Sequence, residues 1–236
     1  MNKNIEQIKE DAVNSIKEEQ SWQITYADMM TLLFAFFVLL FSMSSLDPVK
    51  ISQLQDGMGD MPELKSFNEV VEDFKDIIND LELEGQARVS RDPRGVILEI
   101  DGDLCFDAGE TKLLPELKSV LDMAAKTVLA EASDPRLVIV EGHTDSDQIP
   151  KKLLHIFPTN WELSAARASK VVNYLIEIGV NSGKLQASGY ADRWPASHSW
   201  FEVRSGKINN TIIKDNNKTP EQKRKNRRIK IVFSKN

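Results

Sequence analysis

The sequence predicts an α+β protein in which a single N-terminal transmembrane helix precedes a domain with helices packed on one face of a mixed β-sheet. Two observations carry this. Residues Ile24 to Met43, ITYADMMTLLFAFFVLLFSM, form the only membrane-length apolar stretch, and at about 1.5 Å per residue such a helix covers roughly 30 Å of hydrocarbon. Beyond Gly85, strand and helix signals follow a β-α-β-α-β-β order, the pattern of a sheet covered by helices. A composition of 28% charged and 41% hydrophobic residues fits one span plus one globular domain. The net charge of −6 gives no global attraction to nucleic acid. Cys105 is the single cysteine, so no intramolecular disulfide forms.

The span, taken as 22–45, holds one carboxylate, Asp28. A charge at membrane depth costs at least about 2.5–3.5 kcal/mol and normally faces a protein partner or an ion path. At 100° per residue Thr25, Asp28, Thr31, Leu32, Ala35, Leu39 and Ser42 share a small, polar face. Met30, Phe34, Phe37 and Phe41 gather opposite. Small residues admit a neighbouring helix and large apolar ones suit lipid, so Asp28 reads as an ion-binding carboxyl. The alternative is a plain anchor whose Asp28 snorkels to the interface. Residues 1–21 lack a basic start and a small-residue cleavage site, so the span is expected to be retained as a single pass. Lys3, Lys9 and Lys17 precede it, while only Lys50 falls in the 20 residues after Met43, which places the N-terminal tail in the cytoplasm and the large domain outside.

Segment 46–63 opens near Pro48 and carries Ile51, Leu54, Met58 and Met61 at helical steps, interrupted by Gly57 and Gly59. It reads either as a short amphipathic helix at the membrane surface or as a plain linker. Within 64–84, Leu64, Phe67, Val71, Phe74, Ile78 and Leu81 alternate at steps of 3 and 4, with Val70 and Ile77 widening the stripe. Fewer than three heptads is short for a two-stranded seam, so docking onto the following domain is favoured.

In the domain, 85–236, GVILEID (95–101) and LCF (104–106) read as extended. Pro115 to Ala130 reads as a helix, LVIVEG (137–142) as a buried strand, and Trp161 to Ile178 as a second helix. LQASGY (185–190) and RIKIVF (228–233) close the series, the last alternating Ile229, Ile231 and Phe233 on one face. HTD ends a strand and puts Thr144 and Asp145 in a loop, with Arg167 on the helix that follows. A carboxylate and a guanidinium together can hold an amino-acid zwitterion, ammonium to Asp145 and carboxylate to Arg167. Asn160 either caps that helix and orients the loop or touches ligand. The histidines at 143, 155 and 198 lack ligand spacing, so no metal site is expected. No phosphate loop, nucleophile elbow or paired-carboxylate signature points to an enzyme.

VEGHTD (140–145), TNWELSAARA (159–168), SGYAD (188–192) and KNRRIKIVF (225–233) together resemble the peptidoglycan-binding domain of the OmpA C-terminal family, with FDAG (106–109) like its opening strand and turn. The NWELSAARA form, and W-x-x-x-Y-A-D at Trp22 to Asp28 continued by MTLLFAFFVLLFSMSSLD, resemble the flagellar motor proteins of the MotB family. The resemblance implies a B-type stator subunit of the bacterial inner membrane. It implies a homodimer inside a ring of several MotA-like A-type subunits, with rotor contact only through those subunits. Proton or sodium passage at Asp28 would drive rotation, with no cofactor, while the periplasmic domain anchors to peptidoglycan.

Carried over residue by residue, Asp145 and Arg167 bind the diaminopimelate of the stem peptide. Leu163 matches a position lining that pocket, Thr144 and Asn160 lie beside it, and 46–63 takes the place of the family's plug. Asn226, Arg227 and Arg228 match its NRR. One of the two arginines is expected to brace the pocket, and Arg228 is counted among the contacts although the sequence does not choose between the pair. Residues 193–219 exceed the family's usual loop and are apolar, with Trp194, Trp200, Phe201, Ile208, Ile212 and Ile213. A small hairpin packed on the domain is the default expectation, a partner-binding surface the sharper one. The rival functions are a B-type subunit of a Zorya-type anti-phage motor and a static wall tether.

Overall fold

The computed structural model describes residues 22–40, 65–107, 109–129 and 134–234. The expected tail, the end of the span at 41–45 and the plug-like segment 46–63 lie outside the described residues. The chain divides into two compact units, Met1–Gln55 and Asp56–Asn236. In the first, α1 (Trp22–Leu40) is 19 residues long with a mean hydropathy of 1.7, the one helix among the described residues long and apolar enough to cross a membrane. Its threonine hydroxyls are satisfied along the helix, Thr25 donating to the Trp22 carbonyl and Thr31 to the Asp28 carbonyl at 2.9 and 2.8 Å. Asp28 is the only carboxylate of this helix.

The second unit is built on five strands: β1 (Ala87–Asp92), β2 (Gly95–Asp101), β3 (Val138–His143), β4 (Leu185–Gly189) and β5 (Arg228–Ser234). They lie in the order β1-β2-β5-β3-β4. β1, β2, β5 and β3 pair antiparallel, whereas β3 and β4 run parallel. A parallel neighbour needs a crossover, supplied by the helix Asn160–Glu177, α5 below. Strand β1 carries little apolar signal, alternating one buried alanine with partly exposed residues, and the sequence reading passed over it.

Helix α2 (Phe67–Asp80) begins in a capping box: the Ser66 hydroxyl accepts from the Glu69 N–H at 3.3 Å, and the Glu69 carboxylate accepts from the Ser66 N–H at 2.6 Å. Val70, Phe74, Ile77 and Ile78 are buried in the same core as Leu98, Ile100, Leu121 and Ile231. The amphipathic stripe therefore docks onto the domain, and each such side chain contributes about 1.5–3 kcal/mol of burial. Arg136 lies over the Phe67 and Phe233 rings and donates to the Lys65 carbonyl at 2.9 Å, pinning the start of the helix.

Two expectations are corrected. LCF is not extended: α3 (Gly102–Cys105) is a single turn, and Phe106 makes only an isolated bridge to Leu113. Three apolar residues carry no usable period, and the buried turn satisfies them as well as a strand does. Residues 193–219 form no hairpin. After α4 (Pro115–Thr127) and α5 (Asn160–Glu177) come the short helices α6 (Trp200–Arg204), α7 (Asn210–Asp215) and α8 (Pro220–Asn226). Capping boxes at Ser199 with Glu202 and at Thr219 with Gln222 start α6 and α8, the Asn209 side chain caps α7, and Pro220 sits in the first turn of α8. These start signals prevail over the apolar content.

The sheet face away from α2, α4 and α5 is charged yet buried. Glu99, Glu141, His143, Arg228 and Lys230 are each at most 7% exposed. Arg88 pairs with Glu99 and Arg94 with Glu141, while Arg228 and Lys230 lie 3.4 and 3.6 Å from Glu99. The Trp194 ring covers the Lys230 ammonium at 4.4 Å and the Arg94 guanidinium at 5.2 Å. Burial, aided by Arg228, pushes the Lys230 pKa down to about 8.

Between pH 8 and the ordinary lysine value of 10.5, the unfolded chain holds a proton at this position that the folded chain does not. Stability contributed by Lys230 therefore rises with pH across that window, by at most about 1.4 kcal/mol per unit. Urea denaturation at pH 7 and pH 10 is expected to show wild type gaining on Lys230→Met as pH rises. A pH-independent difference between the two would contradict the burial of this charge.

Candidate ligand-binding site

The site forms where β3 and β4 meet the N-terminal half of α5. Gly142 and Gly189 allow the close contact: a Cβ added at Gly142 would lie 2.1 Å from the Ser164 carbonyl oxygen, and one at Gly189 2.6 Å from the Ala165 nitrogen. With α5 pressed onto the strands, the Ser164 hydroxyl accepts from the Ala191 N–H at 3.1 Å. The Ala191 carbonyl accepts from the Thr144 N–H, and the Gly142 carbonyl from the Tyr190 N–H, both at 2.9 Å. Ala191 itself takes a left-handed φ of 50° to make this turn. The strings VEGHTD, SGYAD and NWELSAARA thus interlock through backbone contacts and the Ser164 hydroxyl.

Above them opens a pocket of about 440 Å³ lined by Thr144, Asp145, Asn160, Leu163 and Arg167, with Asp103, Phe106, Asp147 and Arg227. Five of the six residues expected in the domain's site are brought together. The sixth, Arg228, is not among them. It is 1% exposed on the charged face of the sheet, where it donates to the Trp194 and Asn226 carbonyls. Alternation along β5 sends neighbouring side chains to opposite sides, and Arg227, at the α8 C-cap, is the arginine in the pocket. Arg227 donates to Asp145 at 2.8 Å and to Asp103 at 3.1 Å. Burial opposes its charge, but these two carboxylates outweigh burial and raise its pKa.

Thr159, not Asn160, caps α5, accepting from the Trp161 N–H at 3.2 Å. The Asn160 amide instead donates to the Asp145 and Asp147 carbonyls at 3.2 and 3.0 Å, so its role is to orient the loop. Arg167 donates through Nε to the Glu110 carbonyl at 3.0 Å and through one terminal nitrogen to the Asp107 carbonyl at 3.3 Å. Its guanidinium lies 4.9 Å from the centroid of the Phe106 ring, and burial lowers its pKa. Among the described residues the other terminal nitrogen has no hydrogen-bond partner, which leaves it able to grip a carboxylate. Asp145 Oδ2 meets Arg227, Oδ1 accepts from the Asp147 N–H at 3.0 Å, and a carboxylate has lone pairs to spare for an ammonium. Among the described residues the buried Thr144 hydroxyl has no partner in the same wall. The pocket is thus equipped for a zwitterion.

His143, just before the loop, faces away from the pocket, stacked on Tyr190 with ring centroids 5.3 Å apart. Burial, then the cations Arg228, Lys230 and Arg94, holds its pKa well below the usual value. It is neutral near pH 7, so its 3.8 Å approach to Glu141 is not an ion pair. Among the described residues no cluster of His, Cys, Asp and Glu could hold a metal ion. Asp103, Phe106 and Asp147 escaped the sequence reading as pocket residues. Phe106 lies inside the quoted FDAG string, whereas nothing in the pattern marks Asp103 or Asp147.

Residues 6–61 match the family described as membrane MotB of the proton-channel complex MotA/MotB, and residues 105–208 match the OmpA family. The chain is 33% identical to the uncharacterized protein YtxE of Bacillus subtilis (strain 168), over 93% of this chain and 90% of that one. It is 25% identical to motility protein B of the same organism, over 91% of this chain and 90% of the relative. The crystal structure of the periplasmic domain of Helicobacter pylori MotB is similar with a TM-score of 0.50 at 25% identity, over 64% of this chain and 80% of that domain.

The two adjacent arginines are expected to behave differently in stability. Arg228→Ala strips a buried ion-pair layer and costs about 3 kcal/mol. Arg227→Ala, whose side chain is 33% exposed, costs about 1 kcal/mol or less. Chemical denaturation of the two variants checks this, and equal losses would contradict the opposite placement of the two side chains.

Proposed function

We propose a function from one premise: this chain belongs to the MotB family and carries an OmpA-like domain. At the coarse level it is a stator B-type subunit or an OmpA-like cell-wall anchor, and it is not an enzyme. The finer reading is a B-type subunit of an ion-driven flagellar stator, single-pass in the bacterial inner membrane with its C-terminal domain in the periplasm. It works as a homodimer with several copies of an A-type membrane subunit.

The single observation that supports anchoring is the opening of Asp145 and Arg167 into one pocket. The ligand is the zwitterionic centre of diaminopimelate in a peptidoglycan stem peptide. Asp145 takes the ammonium, sharing its charge with Arg227, and Arg167 takes the carboxylate through its free terminal nitrogen. Leu163 and Phe106 pack against the aliphatic chain that leads away from that centre.

In the membrane helix, Asp28 is the carboxylate on the small, polar face. A proton or sodium ion arriving there removes the charge and changes which helix arrangement is favoured, which couples ion flow to motion. The resemblance of WQITYAD and of the NWELSAARA string to flagellar members favours this over a defence motor or a static tether.

Asp28→Asn is expected to abolish torque while membrane insertion and wall binding persist, measured by tethered-cell rotation beside fractionation. Swimming at the wild-type rate by this variant would leave only the tether. Arg167→Ala removes one of two charged contacts, and loss of such a desolvated pair costs about 2–5 kcal/mol, at least about 30-fold in affinity. Co-sedimentation with purified peptidoglycan, with circular dichroism as the folding control, tests it. A folded Arg167→Ala protein retained like wild type would move the binding site elsewhere.

A further inference from the structure

The loop that presents Asp145 is held from two sides. From α5, the Asn160 amide donates to the Asp145 carbonyl at 3.2 Å. From the segment between α7 and α8, the Asn217 side-chain oxygen accepts the Ser146 N–H at 3.1 Å. These two bonds grip the carbonyl and the N–H of one peptide unit, that between Asp145 and Ser146. A peptide plane fixed at both ends cannot rotate, and its orientation sets the direction in which the Asp145 side chain leaves the backbone.

Asn217 is itself immobilised. It is 5% exposed, its amide donates to the Ile213 carbonyl at 2.8 Å, and its oxygen also accepts from the Asn226 amide at 2.9 Å. Asn226 in turn accepts from the Ala196 N–H and donates to the Asn216 carbonyl, each at 2.8 Å. The two buried asparagines thereby tie the start of the 193–219 insertion, its end, and the helix preceding Arg227 to the recognition loop. The oxygen and the nitrogen of both amides each have a protein partner, so no slack exists for the network to take up when one member is removed.

We propose that Asn217 is a positioning residue for ligand recognition: through the Ser146 N–H it sets the carboxylate of Asp145 in the pocket, and the insertion exists in part to carry it. This rests on the reading of the Asp145 and Arg167 pocket as the peptidoglycan site. The acceptor oxygen is the working atom. Asn217→Asp keeps both accepted bonds but sets a second carboxylate oxygen, which must carry a proton, against the Ile213 carbonyl, whereas Asn217→Leu keeps the size and loses all three.

The full-length chain in detergent, wild type and the variants Asn217→Leu, Asn217→Asp and Arg167→Ala, is titrated with purified peptidoglycan, and hydrogen exchange is followed at the Ser146 amide. Thermal unfolding accompanies each. Asn217→Leu is expected to bind about tenfold more weakly and to lose protection at Ser146, the size of one buried hydrogen bond. Asn217→Asp is expected to restore affinity to within about threefold and to keep the protection. Equal affinity loss in the Leu and Asp variants, or wild-type affinity in a folded Leu variant, overturns the proposal while a defective Arg167→Ala leaves the pocket reading standing. Failure of wild type itself to bind removes the pocket reading instead. Should the Leu variant not fold, rapid exchange of the Ser146 amide in wild type still refutes the role.

Discussion

Burial of β5 on both faces is the constraint on which the rest of the domain depends. All seven of its residues are buried, so alternate side chains must satisfy two different environments. Ile229, Ile231 and Phe233 join the apolar core under α2, α4 and α5. Arg228 and Lys230 point the other way, where no water can solvate them and each needs a partner. Glu99 on the neighbouring strand, Trp194 from the insertion, and Glu141 with Arg94 supply that second environment. The Trp194 ring closes this layer over Lys230 and Arg94.

The same strand organises the pocket. The chain enters the sheet at its first residue, Arg228, so Arg227 one position earlier stands outside the strand and reaches Asp145 and Asp103. One step along the backbone separates an arginine that braces a binding pocket from one that holds a buried ion-pair layer. The closeness of α5 to β3 and β4 does the rest, because the helix that contacts the strands at two glycines also carries Asn160, Leu163 and Arg167. Pocket geometry is thus set largely by α5, with Phe106, the 144–150 loop and Arg227 supplied from outside the helices and strands.

The docked helix α2 shows how a periodic segment is decided by its neighbours. Its stripe fits either a second helix or a sheet, and the capping box at Ser66 only marks where it begins. Phe74 and Val70 are fully buried because β1 and β2 present an apolar surface beside them. Arg136, arriving from the far side of the chain, closes the end with a carbonyl contact and two aromatic rings. Any release of this helix from the domain exposes that whole face at once.

The sequence by itself determined the membrane-length helix, the class of the domain and most of its strands and helices, and it named Asp145 and Arg167, which the structure brings to one pocket. These follow from apolar periods, turn residues and local strings, which are properties of short stretches of chain. Helix starts at Ser199 and Thr219 were legible too, as S-x-x-E and T-x-x-Q, although the apolar residues around them argued for a hairpin. Tertiary structure alone decided that Arg227 and not Arg228 enters the pocket, since the parity of the last strand depends on which of its faces meets the core. It alone brought Asp103 and Asp147 to one pocket and Asn217 to the loop beside it, because residues 44 to 114 positions apart share no local pattern. It also made the second face of the sheet a buried layer of charge, which a run of alternating Arg, Lys and Ile does not distinguish from a solvated one until Trp194 is seen to cover it.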